Sequence, residues 1–323
     1  MSINLYLQSA KYTLYWFLLA LIGLACQQTE ASEVLIEAPP TTDSPYLVVL
    51  GIAQDAGYPQ ADCQKDCCRP VWEGKPSSKM VSCVGLVDPA SGQAWMLDAT
   101  PDFKHQLQAL KDKAPLAGIF LTHAHIGHYT GLMHLGREVM GAQEVPVYTM
   151  PKMAQFLSEN GPWSQLVTLQ NIKIQALQAD SSIRLSEKVA IRPFLVPHRD
   201  EFSETVGYEI SGPSKKAIFI PDIDKWEKWD RDINAFVKQV DYALLDGSFY
   251  QEGEIPGRDM SQIPHPFVAE SMARFDQLPI TERNKVHFIH LNHTNPLIWS
   301  DSTRTEVKEK HYQIAEEGMI LSL

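Results

Sequence analysis

The sequence predicts an α/β layered domain, on three observations. Short apolar runs of strand length recur from residue 46 onward, each ending in a polar or small residue where the chain turns. Patterns of helical period fall between several of them, and mixed strands and helices over roughly 270 residues call for sheets covered by helices. Histidines and aspartates stand at or just past the ends of many of the runs, where loops on a rigid sheet usually carry function.

The first 26 residues form a separate unit. A weakly charged start ends at Lys11, an apolar run follows from Leu14 to Ala25, and Cys26 closes it. The run is too short to span a bilayer comfortably and has the length of the apolar part of a signal peptide, so residues 1–25 are expected to direct export. Ile22-Gly23-Leu24-Ala25-Cys26 resembles a bacterial lipobox, which implies a lipid on Cys26 and a membrane anchor on the outer side. Uncleaved anchoring and simple secretion are the alternatives. Residues 26–45, rich in Gln, Thr, Ser, Glu and Pro, have too little apolar surface to fold and read as a tether. The globular domain is expected over 46–323.

Within that domain the expected strands are Tyr46 to Leu50, Gln93 to Leu97, Ala117 to Leu121, Ala190 to Val196, Lys216 to Ile220, Tyr242 to Leu245 and Val286 to Ile289. The expected helices are Phe103 to Leu110, Gly131 to Met140, Lys152 to Glu159, Lys225 to Gln239 and Pro266 to Phe275. With 44% hydrophobic residues the chain can build a full core. Its 28 basic and 39 acidic residues give a net charge of −11, and no basic run is present to attract a nucleic acid, so a small-molecule substrate is the expected partner.

His123, His125 and His128 lie where an apolar strand passes into a helix, in FLTHAHIGHYTGL. Two residues apart on extended chain, His123 and His125 project to the same side, and His128 follows as the chain coils. Only 11 of 323 residues are histidine, so three within six positions is a concentration composition does not explain. Neutral imidazoles suit zinc, with iron and manganese as alternatives. His134, further along, is expected to pack or face solvent.

HxHxxH after a strand, His198 after a second, Asp222 after a third and His290 after a fourth resemble the ordered ligand set of the metallo-β-lactamase superfamily. The resemblance implies a four-layer αββα sandwich with the metals at one edge. His123, His125 and His198 would hold the first ion, Asp222 would bridge, and His128 and His290 would hold the second. Asp98 would orient the histidine loop from behind, and Asp246 would help order the site or simply make a turn with Gly247. The family pattern is HxHxDH, and Gly127 stands at its Asp. The expectation is therefore one tightly held ion and a weak second one, which Gly127→Asp should tighten.

Val49 to Ala53, Ala56 to Gln60, Asp98 to Asp102, Leu245 to Phe249, His290 to Asn292 with Thr294 to Pro296, and the C-terminal Ile314 to Leu323 resemble the pyrroloquinoline quinone biosynthesis protein B branch, in the same order. The histidine loop is more like that of a hydrolase. Cys63, Cys67 and Cys68 stand where that branch and the PhnP-like phosphodiesterases carry CxCxxC, and the resemblance implies a structural zinc completed by His293. An oxidising compartment also allows a disulfide such as Cys63 to Cys68. Cys83, within an apolar run, is expected to be a buried thiol. His265 matches a histidine on the substrate side of superfamily phosphodiesterases, which implies a proton donor, a cap or loop residue being the alternative.

These residues together suggest an exported metal-dependent hydrolase of the ester, lactone or phosphodiester class, with Asp222 and His265 as its catalytic groups. An iron-dependent hydroxylase or a non-catalytic binding lipoprotein would use the same fold.

Overall fold

A computed structural model describes residues 43–75 and 78–323. The apolar N-terminal run, Cys26 and all but the last three residues of the tether lie outside the described residues. Among the described residues no helix is long and apolar enough to cross a membrane.

Among the described residues fourteen strands alternate with short helices. The first six are β1 (Tyr46–Gly51), β2 (Cys83–Asp88), β3 (Gln93–Leu97), β4 (Leu116–Phe120), β5 (Val145–Thr149) and β6 (Ile172–Ala176). Next come β7 (Ile183–Arg184), β8 (Ala190–Leu195), β9 (Val206–Ser211), β10 (Lys216–Ile220), β11 (Tyr242–Asp246), β12 (Val286–Ile289) and β13 (Gln313–Ile314). The last, β14 (Ile320–Ser322), returns to pair with β1. Two seven-stranded sheets result, ordered β14-β1-β2-β3-β4-β5-β6 and β13-β12-β11-β10-β9-β8-β7.

Side chains of a strand alternate between faces, and the two faces of β1 show how the layers are built. Leu47 and Val49 join an apolar core shared with Phe194, Tyr208, Phe219 and Phe288 of the other sheet. Val48 and Leu50 turn outward beneath the helix Phe103–Lys111, whose Phe103, Leu107 and Leu110 are buried there. Sheet therefore packs on sheet, and helices cover the outer faces, as the resemblance implies.

Two expected helices are shorter than the sequence pattern suggests. Gly131 to Met140 is a 3-10 turn over Thr130–Leu135, because Gly136 adopts an extended conformation and stops it. Lys225 to Gln239 divides into a 3-10 turn at Trp226–Lys228 and the helix Ile233–Gln239. Between them Asp232 breaks the helical path, its side chain accepting a hydrogen bond from the Asn234 N–H as an N-cap.

Strand direction decides what meets at the edge. β1 and β3 are each antiparallel to β2, and β3 is parallel to β4, so β1, β3 and β4 run the same way. In the second sheet β8 and β10 are each antiparallel to β9, and β10, β11 and β12 are parallel. Strands β1, β3 and β4 of one sheet and β8, β10, β11 and β12 of the other thus lead to a common rim.

Candidate metal centre

The rim collects its polar residues one strand at a time. β3 leads to Asp98, β4 to His123, β8 to His198 and β10 to Asp222. β11 ends on Asp246, β12 leads to His290, and β1 leads to Asp55. Asp98 (φ 71°) and His290 (φ 63°) adopt the left-handed backbone conformation that residues with side chains rarely take. Such strain persists where the surroundings hold it, and here it turns both side chains into the rim.

Four ligand atoms from His123, His125, His198 and Asp222 lie within 4.8 Å of one another, and so do four from Asp55, His128, Asp222 and His290. His123 Nε2 is 3.3 Å from Asp222 Oδ2, and His198 Nε2 is 3.3 Å from Asp222 Oδ1. His123 Nε2 also faces His125 Nδ1 at 2.8 Å. In the second group Asp55 Oδ1 lies 3.2 Å from His128 Nε2 and 3.5 Å from His290 Nε2, while Asp222 Oδ2 is 3.9 Å from His128 Nε2. Asp222 belongs to both groups.

Hydrogen bonds from behind fix which nitrogen of each ring faces inward. His128 Nδ1 meets Asp98 Oδ2 at 2.8 Å, and Asp98 also accepts from the Thr122 N–H and hydroxyl. His290 Nδ1 meets Ser248 Oγ at 2.9 Å, and that hydroxyl donates to Asp246 Oδ1 at 2.7 Å. With Nδ1 engaged, Nε2 is left to the interior. His128 Nε2, His290 Nε2, both ring nitrogens of His198, Asp222 Oδ1 and Asp55 Oδ1 are buried and make no aligned hydrogen bond among the described residues. Buried polar atoms without partners are costly; His198 Nδ1 faces Asp224, and the other five, converging around Asp222, fit a cation better than one another.

The electrostatics agree. Burial works against ionising Asp222, but His198 and His265 outweigh it and hold its pKa well below the usual carboxylate range. Asp55 is treated likewise by His128 and His290. Burial opposes charge on His128 too, yet Asp98 and Asp55 raise its pKa well above the ordinary value. His123 goes the other way, depressed by burial and by its neighbour His128. Asp222 and Asp55 are thus held as carboxylates by the histidines around them.

His265 is buried, with Nδ1 2.8 Å from Asp246 Oδ2 and 3.1 Å from Asp222 Oδ1. Its ring lines a cavity of about 480 Å³ that also takes in Phe249, Ile255, Ile263, Asn292 and two arginines, Arg199 and Arg258. Arg258 forms no ion pair among the described residues, and Arg199 only a loose 4.0 Å one with Glu201. His134 stands apart, stacked on Phe103.

A separate cluster joins Cys63, Cys67, Cys68 and His293, whose ligand atoms also lie within 4.8 Å of one another. The Cys67 sulfur is 3.9 Å from those of Cys63 and Cys68, and His293 Nδ1 is 3.6 and 3.3 Å from the Cys67 and Cys68 sulfurs. Zinc with Zn–S bonds of about 2.3 Å separates tetrahedral sulfurs by roughly 3.8 Å, so the spacing suits zinc. All four described cysteines are free thiols, Cys83 among them, buried and with its pKa pushed well up by that burial.

Asp55 is the residue the sequence did not reveal. Gly127 in place of an expected Asp pointed to a missing carboxylate, but the strand that would supply one became visible only with the direction of β1. The cavity arginines were also missed, since neither belongs to a motif.

A model of the beta-lactamase superfamily domain matches residues 94–290. Coenzyme PQQ synthesis protein B of Methylorubrum populi is 26% identical over 309 residues, covering 86% of this chain and all of that protein. Among solved structures, zinc-bound PqqB from Methylobacterium extorquens superposes with a TM-score of 0.73 at 22% identity, over 86% of this chain and 100% of that one. A diphosphatase from the PhnP family superposes with a TM-score of 0.62 at 20% identity, over 86% of this chain and 97% of that one.

Proposed function

We propose that this chain, which belongs to the beta-lactamase superfamily, is a metal-dependent hydrolase acting on a small anionic ester of the phosphodiester class. The observation that carries this reading is the set of inward-facing, unpartnered ring nitrogens around Asp222, opening beside a cavity with two arginines. His123, His125, His198 and Asp222 would hold one ion, and His128, His290 and Asp222 contribute to a second. Zinc suits this donor set best, and when bound it supplies an activated water and a Lewis acid for the ester oxygen.

The remaining work falls to the chain. Asp222 joins the two groups, its Oδ2 facing His123 of one and His128 of the other while its Oδ1 faces His198. Asp98 and Asp246 set the inward-facing nitrogens, one directly and the other through Ser248. His265, held by Asp246 and exposed to the cavity wall, donates a proton to the departing oxygen. Phe249, Ile255 and Ile263 offer apolar surface to one ester group, and Arg199 and Arg258 neutralise the phosphoryl charge. A neutral ester or lactone has no use for those two guanidinium groups. The apolar run ending at Cys26 and the polar tether after it support an exported, lipid-anchored location, with Cys63, Cys67, Cys68 and His293 holding a structural zinc.

The test compares bis(4-nitrophenyl) phosphate with 4-nitrophenyl acetate. A hydrogen bond to a charged group contributes about 1.5–3 kcal/mol, so Arg258→Ala and Arg199→Ala should each raise KM for the phosphodiester about 10-fold or more. They should leave the acetate reaction within about twofold. Equal effects on both substrates, or none on the phosphodiester, would remove the anionic-substrate reading.

A further inference from the structure

We propose that Asp55 is the carboxylate ligand of the second ion, and that Gly127 is glycine so that Asp55 can reach it. The inference rests on the reading of the rim as a metal site. It concerns the residue pair that completes it.

Three observations converge. Asp55 Oδ1, His128 Nε2 and His290 Nε2 lie close together, buried and unpartnered by hydrogen bonds, with Asp222 completing a group of four ligands. A simple Asp55–His128 ion pair would leave His290 Nε2 without purpose, whereas an ion uses all three atoms. Second, the backbone delivers Asp55 to His290: the Leu291 N–H donates to Ile52 O at 2.7 Å, and the Gln54 N–H donates to Leu291 O at 2.9 Å. The loop after β1 is thus bonded to the residue that follows the ligand histidine.

Third, a Cβ on Gly127 would lie 2.6 Å from Asp55 Cα and 2.8 Å from its Cγ, far inside van der Waals contact. Gly127 is not among the glycines with positive φ. It sits in the helical turn Ile126–Tyr129, where any residue's backbone is comfortable, so space alone excludes a side chain. Either position 127 or position 55 can carry the carboxylate, and this chain uses 55. On this reading the second ion is held tightly as well, where the expectation of one tight ion assumed that nothing replaced the missing Asp. It also reverses the expected benefit of Gly127→Asp, which would now push Asp55 aside.

The experiment is a zinc titration of the chelator-stripped full chain, counting ions by mass spectrometry and recording the zinc-induced rise in Tm. Wild type should bind two ions at the rim and one at the cysteine cluster. Asp55→Asn should lose one rim ion or weaken it by at least about the 10–100-fold that even outer-shell changes cost. Gly127→Ala should lose the same ion by displacement. The double variant Asp55→Gly with Gly127→Asp should recover it, which separates a ligand swap from general damage to the fold. Asp55→Asn binding every ion as tightly as wild type would overturn the proposal. So would a double variant that folds and gains no ion over Asp55→Asn. Wild type binding zinc only at the cysteines would instead overturn the metal reading on which it rests.

Discussion

Asp222→Asn is expected to empty most of the rim and to lower kcat/KM for a phosphodiester by at least about 10³-fold. Asp222 is the one residue shared by both histidine groups, and its two oxygens lie within 4 Å of ring nitrogens from His123, His128, His198 and His265. Asparagine keeps the shape, so packing around this buried position survives. What disappears is the negative charge that offsets the surrounding imidazoles and any bound cation. Metal activation supplies several kcal/mol of transition-state stabilisation, and about 4 kcal/mol corresponds to the stated factor. Metal content and kcat/KM measured on the same preparation check it. A variant with full metal content and a wild-type rate would show that Asp222 bridges nothing.

The second large effect belongs to His265 and should depend on the leaving group. A proton donor matters when the departing alkoxide is strongly basic and little when it is a stable phenolate, and general acids typically contribute about 10²–10⁴-fold. His265→Gln should therefore lower kcat for an alkyl phosphodiester by about 10²-fold or more. With bis(4-nitrophenyl) phosphate the loss should stay below about 10-fold. Metal content should not change, because no ligand of either rim group is altered. A uniform loss across leaving groups would make His265 a support for Asp222 and Asp246, whose oxygens it touches at 3.1 and 2.8 Å.

His123, His198 and His290 were legible in the sequence because each comes shortly after an apolar strand, and parallel strands in a sheet must end on the same rim. That reasoning reached His123, His198, Asp222 and His290 without knowledge of the pairing. It could not reach Asp55, four residues beyond β1, because the direction of β1 depends on its antiparallel pairing with β2, a long-range contact. Edge strands were harder still. β7 is two residues long and β13 likewise, too short for any periodicity to show. β9 carries Gly207, whose missing side chain makes room for Phe194 on the neighbouring strand, and a glycine within so short a run obscures the strand pattern. The overlong helix expected from Gly131 to Met140 failed for a related reason. Gly131 is pressed against Thr100 and Phe103, and Gly136 turns the chain out of the helix, so tertiary packing overrides local pattern.

The measurement closest to the central claim is phosphodiester cleavage by metal-stripped protein before and after zinc is restored, carried out without dioxygen. Hydrolysis should be absent from the stripped protein, return with zinc, and proceed in the absence of dioxygen at the rate seen in air. Turnover that appears only with iron and consumes dioxygen would contradict the account and assign the rim to oxidative chemistry.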